Sequence, residues 1–271
     1  MTSPATPLDL TGPLSGVTAG PYTDAVTGER HVLIQDPGSR VLKDPALLAA
    51  ARRTLHAAHP RAESTLMRTP PETELPPPWR RHLTYVRCAD PAGLPDLTGG
   101  PEVTPSSGPE DDALVRAWLS RAFVAAGEDM RRPVSEVVAL AEAAALCGLP
   151  DRVSLMARRD GRTIGHATLH VDSEDEVTGE PIAELVDILV EGVPDTGFVT
   201  SALSRAAVAH AHALGRPLIG SVVHTVGPGR DAGTDAPWRD VTRLLEQGWT
   251  VDHEYWWAPA PEGENPGAER P

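Results

Sequence analysis

Residues 182–224 read IAELVDILVEGVPDTGFVTSALSRAAVAHAHALGRPLIGSVVH, and this stretch decides the fold of the chain. Residues 182–190 are apolar enough for a buried strand, and residues 201–214 have the alanine content of a helix, which Gly215 ends. Residues 217–224 predict a second strand. The stretch therefore predicts a strand, a short loop, a helix and another strand in direct succession.

The elements on either side extend this pattern. Upstream, residues 110–128 and 135–146 predict two helices, and residues 152–171 predict a hairpin that turns at an Asp-Gly pair. Downstream, a Gln-Gly-Trp sequence at 247–249 follows a third helix, and an aromatic strand closes the series. With a weak first strand, residues 100–258 have the element order β–α–α–β–β–β–α–β–α–β.

This order resembles the Gcn5-related N-acetyltransferase (GNAT) family, whose strand–loop–helix unit holds the pyrophosphate of acetyl-CoA. The resemblance implies an α/β (α+β) fold with a mixed central sheet, splayed strands and flanking helices. We expect a flexible lead at 1–27, a smaller N-terminal α/β part at 28–96, the GNAT-like domain at 100–258 and a disordered tail at 259–271. The N-terminal part, in which residues 40–43 are predicted as a strand, could be a degenerate second copy of the fold.

The loop after the first strand departs from the family pattern, roughly Val-x-Pro-x-x-Arg/Gln-x-x-Gly-x-Gly/Ala-x-x-Leu. With Val190 and Leu203 as anchors, Asp195 stands at the basic position, and the glycine positions hold other residues. A carboxylate there repels a pyrophosphate by about 4 kcal/mol at a separation of about 4 Å and an effective dielectric of about 20. The amides at the helix start still favour an anion, although Thr200 or Ser201 could simply cap the helix. The residues expected to contact the donor are Leu189, Val190, Gly197, Val199, Thr200 and Ser201.

Amine acylation needs a base that takes the ammonium proton. The resemblance gives this role to a Glu on the strand before the loop, and Glu184 is the match. Asp187 has the opposite strand parity, so only one of the two carboxylates faces the cleft unless a bulge intervenes. His224 is a third catalytic candidate because an imidazole titrates near neutral pH. Leu244 stands where the family often has a Tyr as general acid.

The sequence leaves three functions open. The first is an N-acyltransferase that moves an acyl group from acetyl-CoA or another acyl-CoA to an amine of a small molecule or peptide by direct attack. The second is a transferase of the same fold whose donor is aminoacyl-tRNA or acyl carrier protein. The third is a non-catalytic binding module on a GNAT scaffold.

The composition and the net charge bear on which of these functions is possible. The net charge of −14 disfavours the binding of polyanions such as nucleic acids unless arginines cluster on one part of the surface. The candidates for such a cluster are Arg52, Arg53, Arg61, Arg68, Arg80, Arg81 and Arg87. Two cysteines without a metal-ligand spacing predict no metal. The start lacks a basic leader and no long apolar run follows, so we expect a cytoplasmic protein without a membrane span. The Ala, Pro and Gly content with a single lysine is typical of a high-GC bacterial gene, and the acceptor and the oligomeric state stay open.

Overall fold

The computed structural model describes residues 14–94, 97–130, 132–224 and 236–261. The strands are β1 (Thr18–Thr23), β2 (Arg30–Asp36), β3 (Ser64–Thr69), β4 (Arg80–Cys88), β5 (Glu102–Pro105), β6 (Arg152–Arg159), β7 (Arg162–Glu174), β8 (Pro181–Val190), β9 (Leu218–Val223) and β10 (Thr250–Pro259). The helices are α1 (Gly38–Lys43), α2 (Pro45–Ala58), α3 (Gly108–Asp129), α4 (Glu136–Cys147), α5 (Thr196–Ala213) and α6 (Ala236–Glu246). They form two compact units, Met1–Thr84 with His253–Pro271 and Tyr85–Asp252.

The first unit contains strands in the order β1-β2-β3-β10. β2 and β3 are parallel, and β10 pairs antiparallel with β3 through residues 254–259. This pairing assigns the end of the chain to the first unit, whereas the sequence predicted that residues 100–258 form one domain. α2 begins after Asp44, whose carboxylate accepts a hydrogen bond from the Ala46 amide at 2.9 Å and so caps the helix.

Two predictions for the first unit need correction. Residues 18–23, predicted as part of a flexible lead, form β1 and pair with β2. Residues 40–43, predicted as a returning strand, belong to α1, where Val41 packs into the apolar core of the unit. Pairing and core packing override local composition in both places. The predicted lead before residue 14 and the predicted tail after residue 261 lie outside the described residues.

The second unit contains strands in the order β4-β9-β8-β7-β6-β5. β5, β6, β7 and β8 pair with one another in antiparallel succession, and β8 pairs with β9 in parallel. α5 packs on one face of this sheet through Leu203 and Ala207. α3 and α4 cover the other face, where Val115 and Leu119 meet Met156 of β6. The predicted α/β fold, a mixed sheet with flanking helices, is confirmed.

No helix in the described part of the chain has the length and apolar character that crossing a membrane requires.

Candidate active site

β8 and β9 run side by side for a short distance and then separate. Their paired residues are 183–185 on β8 and 218–220 on β9, although both strands continue beyond this point. From Leu185 to Val190 every residue of β8 is partly exposed, which is unusual for a strand inside a sheet. We call the gap between residues 186–190 and residues 221–223 the slot.

A β-bulge explains where the slot begins. Asp187 of β8 pairs with Thr168 of β7, but Leu185 pairs with the next residue, Leu169, so Val186 is an extra residue. A bulge bends and twists the strand that carries it. The bend falls directly after the last pair that β8 makes with β9.

The bulge also brings two predicted catalytic residues to one face of the sheet. Glu184 pairs with His170 and Asp187 pairs with Thr168. Residues directly opposite each other on paired strands point to the same face, and His170 and Thr168 are two apart on one strand. Glu184 and Asp187 therefore both face the side that α3 and α4 cover. This is the bulged case that the sequence left open.

Glu184 combines an exposed side chain with a perturbed carboxyl. Burial among surrounding protein atoms raises the pKa of Glu184, and the carboxylate of Glu176 raises it further. A carboxylate with a raised pKa accepts protons more readily, as a general base must.

The backbone of β8 offers hydrogen-bonding groups to the slot. The amide of Glu191 donates to Ile164 at 2.9 Å, which directs Glu191 towards β7. Because successive residues of a strand direct their backbone groups to opposite sides, Leu189 also points to β7. The groups of Val190 and Ile188 then face the slot. Of the two predicted residues, Val190 therefore borders the slot and Leu189 faces β7, and Ile188, which the sequence did not single out, also borders the slot.

α5 begins at Thr196, five residues earlier than the sequence indicated. The amides of Phe198 and Val199 donate to the carbonyl of Asp195 at 3.0 and 3.2 Å. Within the described residues, no acceptor is found for the amides of Thr196 and Gly197, so these two point outward at the positive end of the helix dipole.

This earlier start changes three predicted donor contacts. Val199 is fully buried against the sheet, and the hydroxyl of Ser201 donates to the carbonyl of Gly197 at 2.9 Å. The amides of Val199, Thr200 and Ser201 lie inside the helix, where they bond to the preceding turn. Of the predicted loop and helix contacts, Gly197 alone lies at the helix start, and neither Thr200 nor Ser201 caps the helix.

Asp195 does not stand as an isolated negative charge. Its two carboxylate oxygens accept hydrogen bonds from Nη1 and Nη2 of Arg159 at 3.0 and 2.8 Å. The hydrogen bond from Arg159 lowers the pKa of Asp195, so the pair stays ionised. The cation that the loop lacks is supplied by the end of β6.

Two further arginines approach the loop at glycines. Nη2 of Arg162 lies 3.0 Å from the place that a Cβ at Gly192 would occupy, and Gly192 has a φ of +71°. Both guanidinium nitrogens of Arg243, on α6, lie 4.0 Å from the corresponding place at Gly197. We call Arg159, Arg162 and Arg243 the arginine ring. Its residues and the two outward amides fit the phosphate groups of a nucleotide-like donor.

The sequence did not reveal the arginine ring, because Arg159 and Arg162 lie at the turn between β6 and β7, far along the chain from Arg243 on α6. His224 is buried directly after β9, and its ring centroid lies 6.4 Å from that of Trp238. Leu244 on α6 packs against the core between α5 and the sheet. It offers no proton donor at that position.

The fold and the slot define the class of protein, an α/β protein with the GNAT fold. Similar solved structures include a conserved protein of unknown function from Staphylococcus epidermidis, with 12% identity, a TM-score of 0.53 and 94% of each chain covered. A GCN5-related N-acetyltransferase from Kribbella flavida has 13% identity and a TM-score of 0.44 over 97% of this chain and 90% of that one. A tandem GNAT protein from the clavulanic acid biosynthesis pathway has 13% identity and a TM-score of 0.44 over 94% and 82% of the two chains.

No family model and no curated protein matches the sequence. At such identities the likeness concerns the fold, and the chemistry has to be argued from the residues of this chain.

Proposed function

We propose that this protein transfers an acyl group from acyl-CoA to an amine of a small molecule or peptide. The observation that carries the proposal is the slot between β8 and β9, which leads to the arginine ring at the start of α5. A slot edged by free strand groups suits an extended pantetheine arm. An anion site at its end suits a pyrophosphate.

The donor supplies the thioester, and the chain supplies position and proton transfer. The backbone groups of Ile188 and Val190 hold the arm of the donor as an added strand would be held. The arginine ring and the amides of Thr196 and Gly197 hold the phosphates. Glu184 takes a proton from the acceptor ammonium, and the neutral amine then attacks the thioester directly.

A donor other than acyl-CoA remains the second candidate function, because the loop has an acidic residue at the basic position of the family pattern. The ion pair with Arg159 lowers the electrostatic cost of having the Asp195 carboxylate close to a phosphate. Arg162 and Arg243 add two more positive charges beside the same loop. This charge balance favours acyl-CoA, with its pyrophosphate, over acyl carrier protein, whose pantetheine arm ends in a single phosphodiester.

Calorimetric titration with acetyl-CoA tests the proposal. We expect saturable binding that Arg243→Ala weakens about tenfold, since one charge-assisted hydrogen bond contributes about 1.5–3 kcal/mol. Asp195→Asn should tighten binding, because it removes a negative charge and leaves Arg159 able to turn to the phosphate. Arg53→Ala, an exposed change on α2, is the control and should bind like the parent protein. If the protein does not bind acetyl-CoA but binds aminoacyl-tRNA or acylated carrier protein in parallel titrations, acyl-CoA is not its donor.

A further inference from the structure

A buried histidine lies beside the slot and has no part in the function proposed above. His166 of β7 has no solvent-exposed surface, and its Nε2 lies 3.3 Å from Oδ2 of Asp187. Neither atom has a hydrogen-bond partner within the described residues. Two buried polar atoms that face each other without a bond cost stability, so such an arrangement in a native core requires an explanation.

A hydrogen-bonded chain fixes the other side of the imidazole. Nδ1 of His166 lies 3.0 Å from Oγ1 of Thr168, which lies 2.8 Å from Oγ of Ser154. Arg152 donates to that Ser154 oxygen at 2.9 Å. A guanidinium can only donate, and we assign the other directions so that Ser154 donates to Thr168 and Thr168 donates to Nδ1, which uses every hydroxyl hydrogen. In this arrangement Nδ1 of His166 accepts, and a proton on Nε2 faces Asp187.

An aromatic side chain of α3 also packs on the imidazole of His166. The indole of Trp118 on α3 stacks on His166 with ring centroids 5.2 Å apart and planes inclined by 13°. Its Nε1 donates to the carboxylate of Glu191 at 3.0 Å, so the indole is itself anchored. The titratable and charged groups of the surrounding elements include Asp111, Asp112, Arg116 and Arg121 on α3, Cys147 on α4, Arg152 and Arg158 on β6, His170 on β7, and Glu184 and Glu191 on or after β8.

Asp187, by contrast, reaches solvent. Its side chain is 22% exposed, and it lies two residues past the last pair between β8 and β9. It shares a face with Glu184 because of the bulge at Val186. The thioester of a donor that lies along residues 188–190 would end close to this bulge.

The acylation of an amine releases two protons from nitrogen. The ammonium loses the first before it attacks, and the tetrahedral intermediate loses the second from its positively charged nitrogen. Glu184 is assigned the first proton. A second acceptor at the reacting carbon is needed if the nitrogen is to remain neutral as the C–S bond breaks.

We propose that Asp187 takes this second proton and that His166 is the positioning residue that holds Asp187 for the task. The inference rests on the proposed function. In the step, the C–N bond is already formed, nitrogen passes its proton to Oδ of Asp187, and the electron pair of the C–S bond leaves on sulfur. The thiolate takes a proton from solvent. Asp187 and Glu184 later return theirs to solvent, so one proton is released per amide formed.

The arrangement of the pair is tested by nitrogen NMR of the histidine rings in the protein alone. We expect His166 to be the Nε2–H tautomer, with Thr168→Val mixing the two tautomers and Asp187→Asn shifting the Nε2 resonance. His166→Gln assigns the signal, and His170→Gln on the same strand face is the control that leaves it in place. An Nδ1–H tautomer in the parent protein, or a signal insensitive to Asp187→Asn, would overturn the pair.

Thiol release from acetyl-CoA, with hydroxylamine as acceptor, tests the role. Hydroxylamine is already neutral at pH 7, so Glu184→Gln should keep most of the rate, while Asp187→Asn should lower kcat at least tenfold with little change in KM for acetyl-CoA. His166→Gln should also lower kcat, and His170→Gln should not. Full kcat in Asp187→Asn would overturn the role of Asp187 alone. No acetyl-CoA binding and no thiol release by the parent protein would overturn the proposed function itself, whatever the NMR result.

Discussion

At the residue scale, the two carboxylates of β8 differ in their surroundings although they share a face. Glu184 is open to solvent but desolvated enough for its pKa to be raised. Asp187 is less exposed and has a histidine at ion-pair distance. Groups with different environments can carry different proton transfers in one reaction, and this separation supports the two roles assigned to them.

Replacing Glu184 should separate activity from stability. Glu184→Gln should reduce turnover at least tenfold with an acceptor that is an ammonium ion at pH 7, because the first proton then has no acceptor. Circular dichroism should show a folded chain. The exposed Glu174 provides the control, since Glu174→Gln should leave turnover unchanged. Unchanged turnover in Glu184→Gln would remove this residue from the mechanism.

The same variant makes a prediction about pH. A raised pKa means that the favourable contribution of Glu184 to folding is present below the unfolded value of about 4.3 and is lost as pH rises through the folded value. A glutamine at this position has no carboxyl group to ionise, so its contribution to folding does not change with pH. The Tm of Glu184→Gln relative to the parent protein should therefore be higher at pH 8 than at pH 4, and a difference independent of pH would contradict the raised pKa.

At the element scale, β7 and β8 fit together closely at the wide end of the slot. A Cβ at Gly165 of β7 would lie 2.7 Å from the carbonyl oxygen of Leu189 and 3.2 Å from the side chain of Leu203 on α5. Glycine therefore lets β7 support the part of β8 that borders the slot while α5 packs against both. The position of the slot depends on the absence of one methyl group.

Gly165→Ala should disturb this support. Overpacking of this kind costs about 1–3 kcal/mol, and each kcal/mol lowers Tm by about 2–4 °C in a chain of this size. Affinity for acetyl-CoA should fall as well, because β8 must move to relieve the contact. Gly93→Ala, where a Cβ meets nothing within 4 Å, is the control for thermal unfolding and calorimetry. Parent-like stability and affinity in Gly165→Ala would show that β8 yields without consequence.

At the scale of the whole molecule, the net charge disfavours donors that carry a nucleic acid. The net charge of −14 repels nucleic acid, and several arginines that could have offset it have partners inside the protein. Arg81 bonds to Glu254 and Glu74, Arg87 bonds to Glu180 and Asp252, and Arg80 lies over the ring of Trp257. These contacts engage three of the seven arginines that the sequence offered as a cluster for a tRNA backbone.

We therefore expect no binding of aminoacyl-tRNA at about 150 mM salt, measured by fluorescence anisotropy with labelled tRNA. Acetyl-CoA added to the same protein preparation and followed by calorimetry is the positive control. Saturable tRNA binding with a steep dependence on salt would contradict the expectation, because such a slope reports the counterions released by phosphate contacts.

The sequence by itself determined the element order, the α/β fold and the candidate Glu184. These depend on signals that are local along the chain, such as the apolar run of β8, the alanine-rich face of α5 and the turn residues of the hairpin. Local signals also have limits, as the helix α1 at residues predicted to be extended and the early start of α5 demonstrate. At these places tertiary packing overrides the local propensity, and a short window of sequence carries no information about that packing.

Only the tertiary structure decided the site. The bulge at Val186 exists because β7 and β8 pair out of step, and it alone brings Glu184 and Asp187 to one face. The arginine ring joins β6, β7 and α6, and the His166–Asp187 pair joins two strands. Such groups are neighbours through strand register and helix packing, so their charges and hydrogen bonds act together only once the chain has folded.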